Sequence, residues 1–479
     1  MRPFRIVIAG GGITGLAAAY RLQKLARTHS LPLELHLFER DARLGGKILT
    51  ERTGGFIVEA GPDIFLARKP AALDLCRELG LADRLRPTCP ARRGSYIRRG
   101  NRLYALPEGL SGLVPARLWP LIASPLLSPW GKLRLVLDTV LPARSGPPVP
   151  GGSDDESVAA FFTRRLGREA YERLVEPLLG GIYGGDGEQL SLRATFPRLR
   201  ELERAHGSLI RGLKARPEHT TPESAFLSLA GGMAELTGAL AAALTGVHVA
   251  AGRCVEAVEP AGGGYRIRAG GTSLEAEAVL LATPAYVSAR LVAPFAPALA
   301  GELAAIPYGS IATLSLAYRL SDVPHPLDAY GYIIPRTEAT PVLACTWSSS
   351  KLPERAPEGH ALLRVFIAAR AGDDDLLDRP DEALLALARD ELRATLGLTA
   401  VPVFHRLYRW QRAMPQYVLG HPERLDRIAR HLDAHPGLYL AGAGYRGVGI
   451  PDCIRDAERA ARQIAAWCQS RLQNVEEKP

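Results

Sequence analysis

The stretch FRIVIAGGGITGLAAAYRLQKLA, residues 4 to 26, decides the fold class. Its first part, Arg5 to Ala9, predicts a fully buried strand, and the residues after Gly15 place small and apolar side chains at helical spacing. LELHLFE, from Leu33 to Glu39, predicts a second strand. Together these segments predict one βαβ unit of a parallel sheet.

The turn between the first strand and the helix carries the glycines of a GxGxxG pattern at Gly10, Gly12 and Gly15. In such a turn the first glycine permits the tight bend, the second lets the backbone approach a pyrophosphate, and the third allows close helix packing. The helix N-terminus adds free N–H groups and a positive dipole end. A plain glycine-rich turn is the alternative that this pattern alone leaves open.

Two further features favour FAD over NAD as the bound dinucleotide. Glu39 ends the second strand, where an acid accepts hydrogen bonds from a ribose diol. RLGGK, from Arg43 to Lys47, follows it. A strand-terminal acid followed by RxGGK is a second fingerprint of FAD proteins, which NAD proteins lack. The sequence therefore predicts an α/β fold with a Rossmann-type FAD-binding domain.

The remaining segments predict how the domains are divided. AVLLATP from Ala278 and LYLAGAG from Leu438 have the continuous apolar sequence of strands that are covered on both faces, so they extend the parallel sheet. Alternating segments such as ATLSLAYRL and ALLRVFIAA predict an antiparallel sheet in a substrate domain. The predicted division is an FAD domain in three parts (1–85, 206–290, 406–470), a helical domain (86–205) with a linker at SGPPVPGG from Ser145, a substrate domain (291–405) and a flexible tail (471–479).

Composition narrows the class of protein. The chain has 479 residues, 47% hydrophobic and 23% charged, as expected for a globular enzyme of two or three lobes. The net charge of +9 rests mostly on arginine, and the local clusters Arg68–Lys69 and Arg92 to Arg102 suit a carboxylate-rich ligand better than nucleic acid. The six cysteines show no metal-ligand spacing, so no metal is predicted.

The N-terminal segment and the lengths of the apolar stretches predict the localisation. Met1 leads directly into a strand with no signal peptide, which predicts a cytoplasmic protein. No stretch reaches the roughly 20 apolar residues of a spanning helix. The segment from Gly109 to Leu127 is interrupted by prolines and is suited to touch a membrane surface, not to cross the bilayer.

Five longer segments resemble the porphyrinogen oxidases of heme biosynthesis, and the match extends over nearly the whole chain. Several are more similar to the form from Gram-positive bacteria, which is associated with coproporphyrinogen III, than to the plant and animal form. The segments are EAGPDIFLARKP from Glu59, EPLLGGIYGGD from Glu176, ACTWSSSKLPERAPEG from Ala344, MPQYVLGH from Met414 and GYRGVGIPDCI from Gly444.

The resemblance implies a three-part fold with an FAD domain, a mixed α/β substrate domain and a helical membrane-facing domain. It also implies FAD-dependent oxidation of coproporphyrinogen III, or of protoporphyrinogen IX, with dioxygen as the electron acceptor and hydrogen peroxide as the product. Peripheral contact with the inner face of the membrane, and transient contact with the next enzyme of the heme pathway, are further expectations.

The residues that hold FAD are implied by the same resemblance, and some have a local reason. Val255 follows the second glycine-rich helix in a short strand whose backbone can contact adenine. The GVGIPD loop precedes a helix with Asp452 at its positive end, and that end can stabilise the charge of reduced flavin. The implied set is Gly10, Gly11, Gly12, Ile13, Thr14, Gly15, Glu39, Arg40, Lys47, Gly61, Pro62, Asp63, Ile64, Val255, Trp410, Val448, Gly449 and Ile450.

Five residues are implied to position the substrate, and none is an acid or base catalyst. Gly181 matches the glycine whose backbone carbonyl orients the pyrrole N–H groups. Trp347 matches an aromatic that stacks on a pyrrole, and Ile333 its apolar partner on the other side, although an ordinary core aromatic explains Trp347 as well. Arg68 and Lys69 are expected to pair with propionates, the alternative being a solvated basic pair.

Two other classes of function stay open. One is another flavoenzyme, an amine oxidase or a carotenoid desaturase. Covalent flavin attachment is not expected, because Cys453 comes after GVGIPD and not before it. The other is a non-catalytic flavoprotein that carries porphyrin.

Overall fold

The computed structural model describes residues 2–92, 94–107, 110–111, 113–115, 119–143, 155–215, 225–369 and 374–476. The predicted linker SGPPVPGG and Arg93 lie outside these residues. The last helix, Ile450–Glu476, continues past residue 471, where a flexible tail was expected. Its buried face carries Ile454, Ala457, Ala461 and Ile464 into the core beside the first helix, which explains why helical order persists there.

The predicted parallel sheet is confirmed. All its pairings are parallel, and the glycine turn lies at the carboxyl end of its middle strand. Successive residues of that strand divide between two cores: Ile6 and Ile8 pack with the helices of one face, and Val7 and Ala9 pack on the other face. In spatial order the strands are Val247–Ala250, Leu33–Phe38, Phe4–Ala9, Ala278–Leu281 and Leu438–Leu440.

Each face of this sheet is covered. On one side lie the first and last helices, Ile13–Thr28 and Ile450–Glu476, which run along each other. On the other side lies a three-stranded antiparallel sheet, whose residues Val258 and Ile267 enter the same core as Val7. Its strands are Val255–Ala261, Gly264–Ala269 and Thr272–Ala276.

The second large sheet, called here the substrate sheet, has seven strands. It is antiparallel except where Gly331–Ile333 runs parallel to Tyr96–Arg99. Two of its strands, Tyr96–Arg99 and Arg102–Ala105, come from the segment that was expected to be helical, because Gly100, at φ +55°, allows the tight turn of a hairpin there. The order is Phe404–Pro415, Tyr308–Arg319, His360–Ile367, Val342–Trp347, Gly331–Ile333, Tyr96–Arg99 and Arg102–Ala105.

The position of Trp347 in this sheet favours the core-aromatic alternative over the expected stacking role. Its side chain is 0% exposed and lies in the core formed with helix Asp381–Leu396, with its ring centre 4.9 Å from that of His325. Side chains alternate across a strand, so Thr346 lies on the opposite face and Trp347 is a core aromatic.

The described residues between 119 and 214 are largely helical, and Leu209 and Ile210, in a segment expected in the FAD domain, belong to the core of this lobe. No described helix is long and apolar enough to cross a membrane. Helix Glu176–Tyr183 of this lobe contacts the substrate sheet. The helices of the lobe are Trp119–Ala123, Pro129–Val136, Val158–Leu166, Arg168–Ala170, the π-helical turn Tyr171–Val175, Glu176–Tyr183, Leu192–Thr195, Pro197–His206 and Leu209–Lys214.

Shorter elements connect these units. The short strands are Thr50–Thr53 with Phe56–Glu59, Phe226–Leu229 between Phe65–Leu66 and Leu85–Pro87, and Leu110–Ser111 with Val114–Pro115. The other α-helices are Pro70–Glu78, Ala234–Ala243, Ala285–Val292, Pro297–Ala304, Ser348–Lys351, Asp381–Leu396 and His421–Asp433. The 3₁₀ turns are Ala82–Arg84, Pro90–Arg92, Leu137–Thr139, Leu320–Asp322, Arg336–Glu338, Pro353–Arg355 and Asp374–Asp378.

Candidate cofactor and substrate site

The three glycines of the turn are required for different reasons. At Gly10, with φ +108°, a Cβ atom would lie 2.9 Å from the carbonyl oxygen of Ala282, and at Gly15 it would lie 1.8 Å from that of Gly10. Gly12 has an ordinary φ of −71°, and the nearest atom to its Cβ would be the Gly46 Cα at 3.9 Å. Neither the backbone conformation nor the packing requires glycine there, so the turn leaves room for a ligand at the helix N-terminus.

Glu39 is held beside this turn by backbone groups. One carboxylate oxygen accepts a hydrogen bond from the N–H of Gly11 at 2.6 Å, and the other accepts one from the N–H of Asp41 at 2.9 Å. A carboxylate has about four acceptor sites, so both oxygens keep capacity for the hydroxyls of a ribose. The backbone of Glu39 also bonds Ala250 and Arg253, which places the segment leading to Val255 against the same site.

The RLGGK segment packs onto the glycine turn. The N–H of Gly45 donates to the carbonyl of Gly11 at 2.8 Å. Lys47 is largely enclosed, and its ammonium group donates to the carbonyl of Ala413 at 2.6 Å. Burial lowers the pKa of Lys47. A Cβ at Gly61 would lie 1.8 Å from the Lys47 carbonyl oxygen, so the expected cofactor loop from Gly61 packs directly against this segment.

The backbone just before that loop is joined to the substrate sheet through one carbonyl. Ala60 accepts hydrogen bonds from the Thr313 hydroxyl at 2.9 Å, the Arg364 guanidinium at 2.8 Å and the Trp410 indole at 2.8 Å. Arg364 also donates to the carbonyl of Gly61 at 2.6 Å. Trp410, expected to contact the cofactor, therefore also holds the loop in place.

Asp63 adds a second link between the loop and the substrate sheet. Its carboxylate lies 2.8 Å from the ammonium group of Lys351, and its carbonyl accepts a hydrogen bond from Ser228 at 2.7 Å. Burial acts to raise the pKa of Asp63, but the charges of Lys351 and Arg364 outweigh it and leave that pKa below its ordinary value. The loop thus carries a fixed, ionised carboxylate.

The GVGIPD loop is positioned by Tyr417. The Tyr417 hydroxyl accepts from the N–H of Gly447 at 2.7 Å and donates to the carbonyl of Ala443 at 2.5 Å. Both bonds fix the turn that leads into Val448 to Ile450 and the last helix. The neighbouring Gln416 donates to the carbonyl of Tyr183 at 2.9 Å, which connects this loop to the helix that carries Gly181.

Gly181 lies in the last turn of helix Glu176–Tyr183, with nothing within 4 Å of the position of a Cβ atom. Its carbonyl oxygen accepts no hydrogen bond from a described residue. The helix contacts the strands Gly331–Ile333 and Val342–Trp347, and Ile333 is half-buried on the strand face opposite to the core. A bare backbone acceptor and an apolar sheet face therefore border the same region.

The basic residues expected to bind carboxylates have different environments. Lys69 lies 2.5 Å from the carboxylate of Asp452, so a propionate has to compete with that acid. Arg68 is exposed and pairs with no described residue. In the Arg92 to Arg102 cluster, Arg92 donates to the carbonyl of Leu327, and Arg98 is buried against Glu391. That cluster is thus largely engaged within the protein.

Three residues that position the site were not predicted: Lys351, Arg364 and Tyr417. Arg364 had a detectable signal, since a charged residue inside the apolar strand ALLRVFIAA needs partners when it is buried. The partners of Lys351 and Tyr417 depend on segments far away in the chain. The described residues therefore have the geometry expected of an FAD-binding site: a glycine turn with space at Gly12, an anchored acid at Glu39, and two fixed loops.

Comparisons with known proteins agree with this arrangement. Residues 13–465 match the family model described as flavin containing amine oxidoreductase. A coproporphyrinogen III oxidase of Bacillus subtilis (strain 168) is 35% identical over 471 residues, covering 96% of this chain and 98% of that protein. A protoporphyrinogen oxidase of Homo sapiens is 33% identical over 493 residues, covering 96% and 98%. A crystal structure of a candidate protoporphyrinogen oxidase from Exiguobacterium sp. 255-15 superposes with a TM-score of 0.86 at 31% identity, covering 97% and 99%.

Replacing Gly12 with alanine is expected to remove FAD without unfolding the protein. The added methyl group meets no protein atom closer than 3.9 Å but occupies the space that the pyrophosphate needs. We expect the affinity for FAD to fall at least about tenfold, which corresponds to about 1.4 kcal/mol. The measurement is the ratio of flavin to protein absorbance after purification, together with FAD titration of the apoprotein and its thermal unfolding curve.

Gly238→Ala is the matched control, because this exposed helical glycine has nothing within 4 Å of a Cβ position and lies outside the glycine turn. It should keep full flavin content and gain a little helix stability. Full flavin content in Gly12→Ala would show that Gly12 does not face the cofactor.

Proposed function

Since the chain belongs to the flavin containing amine oxidoreductase family, and is a porphyrinogen-oxidising flavoenzyme within it, we propose that its substrate is coproporphyrinogen III, oxidised to coproporphyrin III. The similarity to coproporphyrinogen III oxidases over 96% of the chain supports this. One observation in the structure carries the proposal furthest. The Gly181 carbonyl, which accepts no hydrogen bond from a described residue, borders the same region as Ile333 of the substrate sheet, near the loops that we expect to hold the cofactor.

The chemistry requires six hydrogens to leave the substrate. FAD supplies the redox chemistry, accepting two electrons per turnover, so three turnovers complete one porphyrin. We propose dioxygen as the final acceptor: three molecules of dioxygen take up six electrons and six protons and leave as three molecules of hydrogen peroxide. We propose that the pyrrole protons pass to solvent, a route that needs no acid and base pair from the protein.

The residues of the chain orient the macrocycle. The Gly181 carbonyl accepts hydrogen bonds from the pyrrole N–H groups, and the absence of a side chain lets the ring approach the backbone. Ile333 supplies an apolar contact from the substrate sheet. The loop from Gly61 to Ile64 is held through Ala60 and Asp63, so the cofactor and the macrocycle keep a fixed relation.

The preference for coproporphyrinogen III over protoporphyrinogen IX is a testable consequence. Coproporphyrinogen carries four propionates and protoporphyrinogen two, and Arg68 is an exposed cation with no partner among the described residues. A charge-assisted hydrogen bond contributes about 1.5 to 3 kcal/mol, so Arg68→Ala is expected to reduce the preference by about tenfold or more. The measurement is the ratio of kcat/KM for the two substrates, from porphyrin fluorescence.

Arg319→Ala, which removes an exposed arginine from the outer end of the substrate sheet, is the control for net charge. A parent enzyme that prefers protoporphyrinogen IX would overturn the substrate assignment. An unchanged ratio in Arg68→Ala would remove only the role of that residue.

Gly181→Val tests the position of the macrocycle. The branched side chain enters open space, so the fold and the flavin content should be kept, while kcat/KM for coproporphyrinogen III falls by at least about tenfold through lost contact with the backbone. Gly301→Val places the same side chain at another exposed helical glycine with nothing within 4 Å, so it controls for helix propensity. Equal activity of the two variants would place the substrate elsewhere.

We also propose peripheral contact with a membrane, through an apolar surface of the helical lobe. Trp119 and Trp130 are each 77% exposed, Val140 is 72% exposed and Leu133 is 53% exposed, and all four lie between residues 119 and 140 of the chain. Tryptophan side chains favour the interface between water and lipid, and exposed apolar groups clustered in this way indicate an interaction surface. The expected transient contact with the next heme-pathway enzyme stays a prediction.

Co-sedimentation with phospholipid vesicles tests this contact. The parent should sediment with vesicles, and the double variant Trp119→Ser/Trp130→Ser should stay in the supernatant with unchanged activity on dispersed substrate. Leu320→Ser/Val401→Ser, which removes exposed apolar side chains from the substrate domain, should behave like the parent. Vesicle binding that survives in the tryptophan variant would assign the contact to another surface.

A further inference from the structure

Two histidines and one glutamate meet at the edge of the parallel sheet, outside the cofactor and substrate site. His36 and His248 are direct neighbours in the register of the two outer strands, and their ring centres lie 4.7 Å apart with planes inclined by 21°. Glu34 lies 2.7 Å from the Nε2 atom of His36. One potential ligand atom from each of the three residues lies within 4.8 Å of the others.

The strand geometry explains why these side chains converge. Residues two apart in a strand lie on the same face, so Glu34 and His36 share one face while Leu35 and Leu37 enter the core on the other. The parallel pairing of Leu33–Phe38 with Val247–Ala250 then sets His248 beside His36. His248 is exposed and the other two are half-buried, so the cluster is open to solvent from the sheet edge.

Arg5 holds the glutamate in place. Its guanidinium donates to both carboxylate oxygens of Glu34, at 2.9 and 3.0 Å. Outer partners of this kind orient a ligating carboxylate, and they contribute to metal affinity in known sites. Glu277, which accepts from the N–H of Arg5 at 2.7 Å, adds a second acid behind the arginine, so the cluster carries no excess of positive charge.

We propose that Glu34, His36 and His248 bind one divalent transition-metal ion such as Zn²⁺. The two imidazoles supply nitrogen ligands once their nearly stacked rings rotate so that both planes pass through the ion, Glu34 supplies an oxygen, and water completes the coordination. Imidazole nitrogen suits zinc, copper and nickel, whereas Mg²⁺ and Ca²⁺ take oxygen ligands. The site is independent of porphyrinogen oxidation.

The ion has a structural consequence, because it joins the edge strand to its neighbour. Both strands end beside the cofactor site: Leu33–Phe38 leads into Glu39, and the N–H of Glu39 donates to the carbonyl of Ala250, at the end of the edge strand, at 3.0 Å. A ligand that binds only the folded state stabilises it in proportion to its concentration and affinity. Zn²⁺ therefore stabilises the half of the sheet that receives the adenosine end of FAD.

Calorimetric titration of the tag-free, FAD-loaded protein with Zn²⁺ tests the proposal. The parent should bind one equivalent, and Mg²⁺ in large excess should not compete. His248→Ala should bind at least about tenfold more weakly, since even outer partners of metal ligands contribute 10 to 100-fold in affinity. His405→Ala, which removes an exposed histidine from an edge strand of the other sheet, should bind like the parent.

Thermal unfolding provides the second measurement. The unfolding midpoint of the parent should rise with Zn²⁺ concentration, as should that of His405→Ala, while His248→Ala should need at least about tenfold more Zn²⁺ for the same rise. Because His248 is exposed, its replacement should leave the fold and the flavin content intact without metal. No saturable binding in the parent, or equal affinity in His248→Ala, would overturn the site.

Discussion

The hydrogen bonds received by the carbonyl of Ala60 are the interaction on which the rest of the structure depends. Its three donors, Thr313, Arg364 and Trp410, lie on three neighbouring strands of the substrate sheet, whereas Ala60 follows directly on a strand of the FAD domain. A buried carbonyl without partners costs about 1 to 3 kcal/mol, and a buried guanidinium without acceptors costs more. The carbonyl of Ala60 and its three donors therefore supply each other's hydrogen-bond partners. A shift of either unit would leave a buried polar group without a partner.

This junction also fixes the proposed cofactor loop relative to the substrate sheet. The loop from Gly61 to Ile64 follows Ala60, and Arg364 reaches its first carbonyl, so the sheet that borders the substrate region also sets the cofactor loop. Lys351 extends the same connection through Asp63. On the opposite side, Gln416 joins the Gly181 helix to the segment of Tyr417, which fixes the GVGIPD loop.

The parts of the fold that local sequence could predict are those with a local cause. The strands at Phe4 and Ala278 were predicted because continuous apolar residues mark strands covered on both faces. The hairpin at Tyr96 and the strand from Phe404 were assigned to other domains, because their place in the substrate sheet depends on pairing between distant segments. Trp347 is two residues from Cys345 in the same strand, so both side chains lie on the core face. The resemblance that suggested stacking carries no information on this packing. The ion pair of Lys69 could not be predicted either, because its partner Asp452 lies far away in the chain.

Gly12 and Gly181 share a property that most of the other glycines in the same motifs lack. Gly10, Gly15 and Gly61 are held by protein atoms that a side chain would strike, so their identity follows from packing alone. Gly12 and Gly181 have an ordinary backbone conformation and open space on the side of a Cβ atom. A side chain there costs the free protein little, so neither packing nor backbone conformation requires glycine at these two positions. On the proposed function, bare backbone at one glycine approaches a phosphate and at the other a macrocycle, which orients both ligands without a charged side chain.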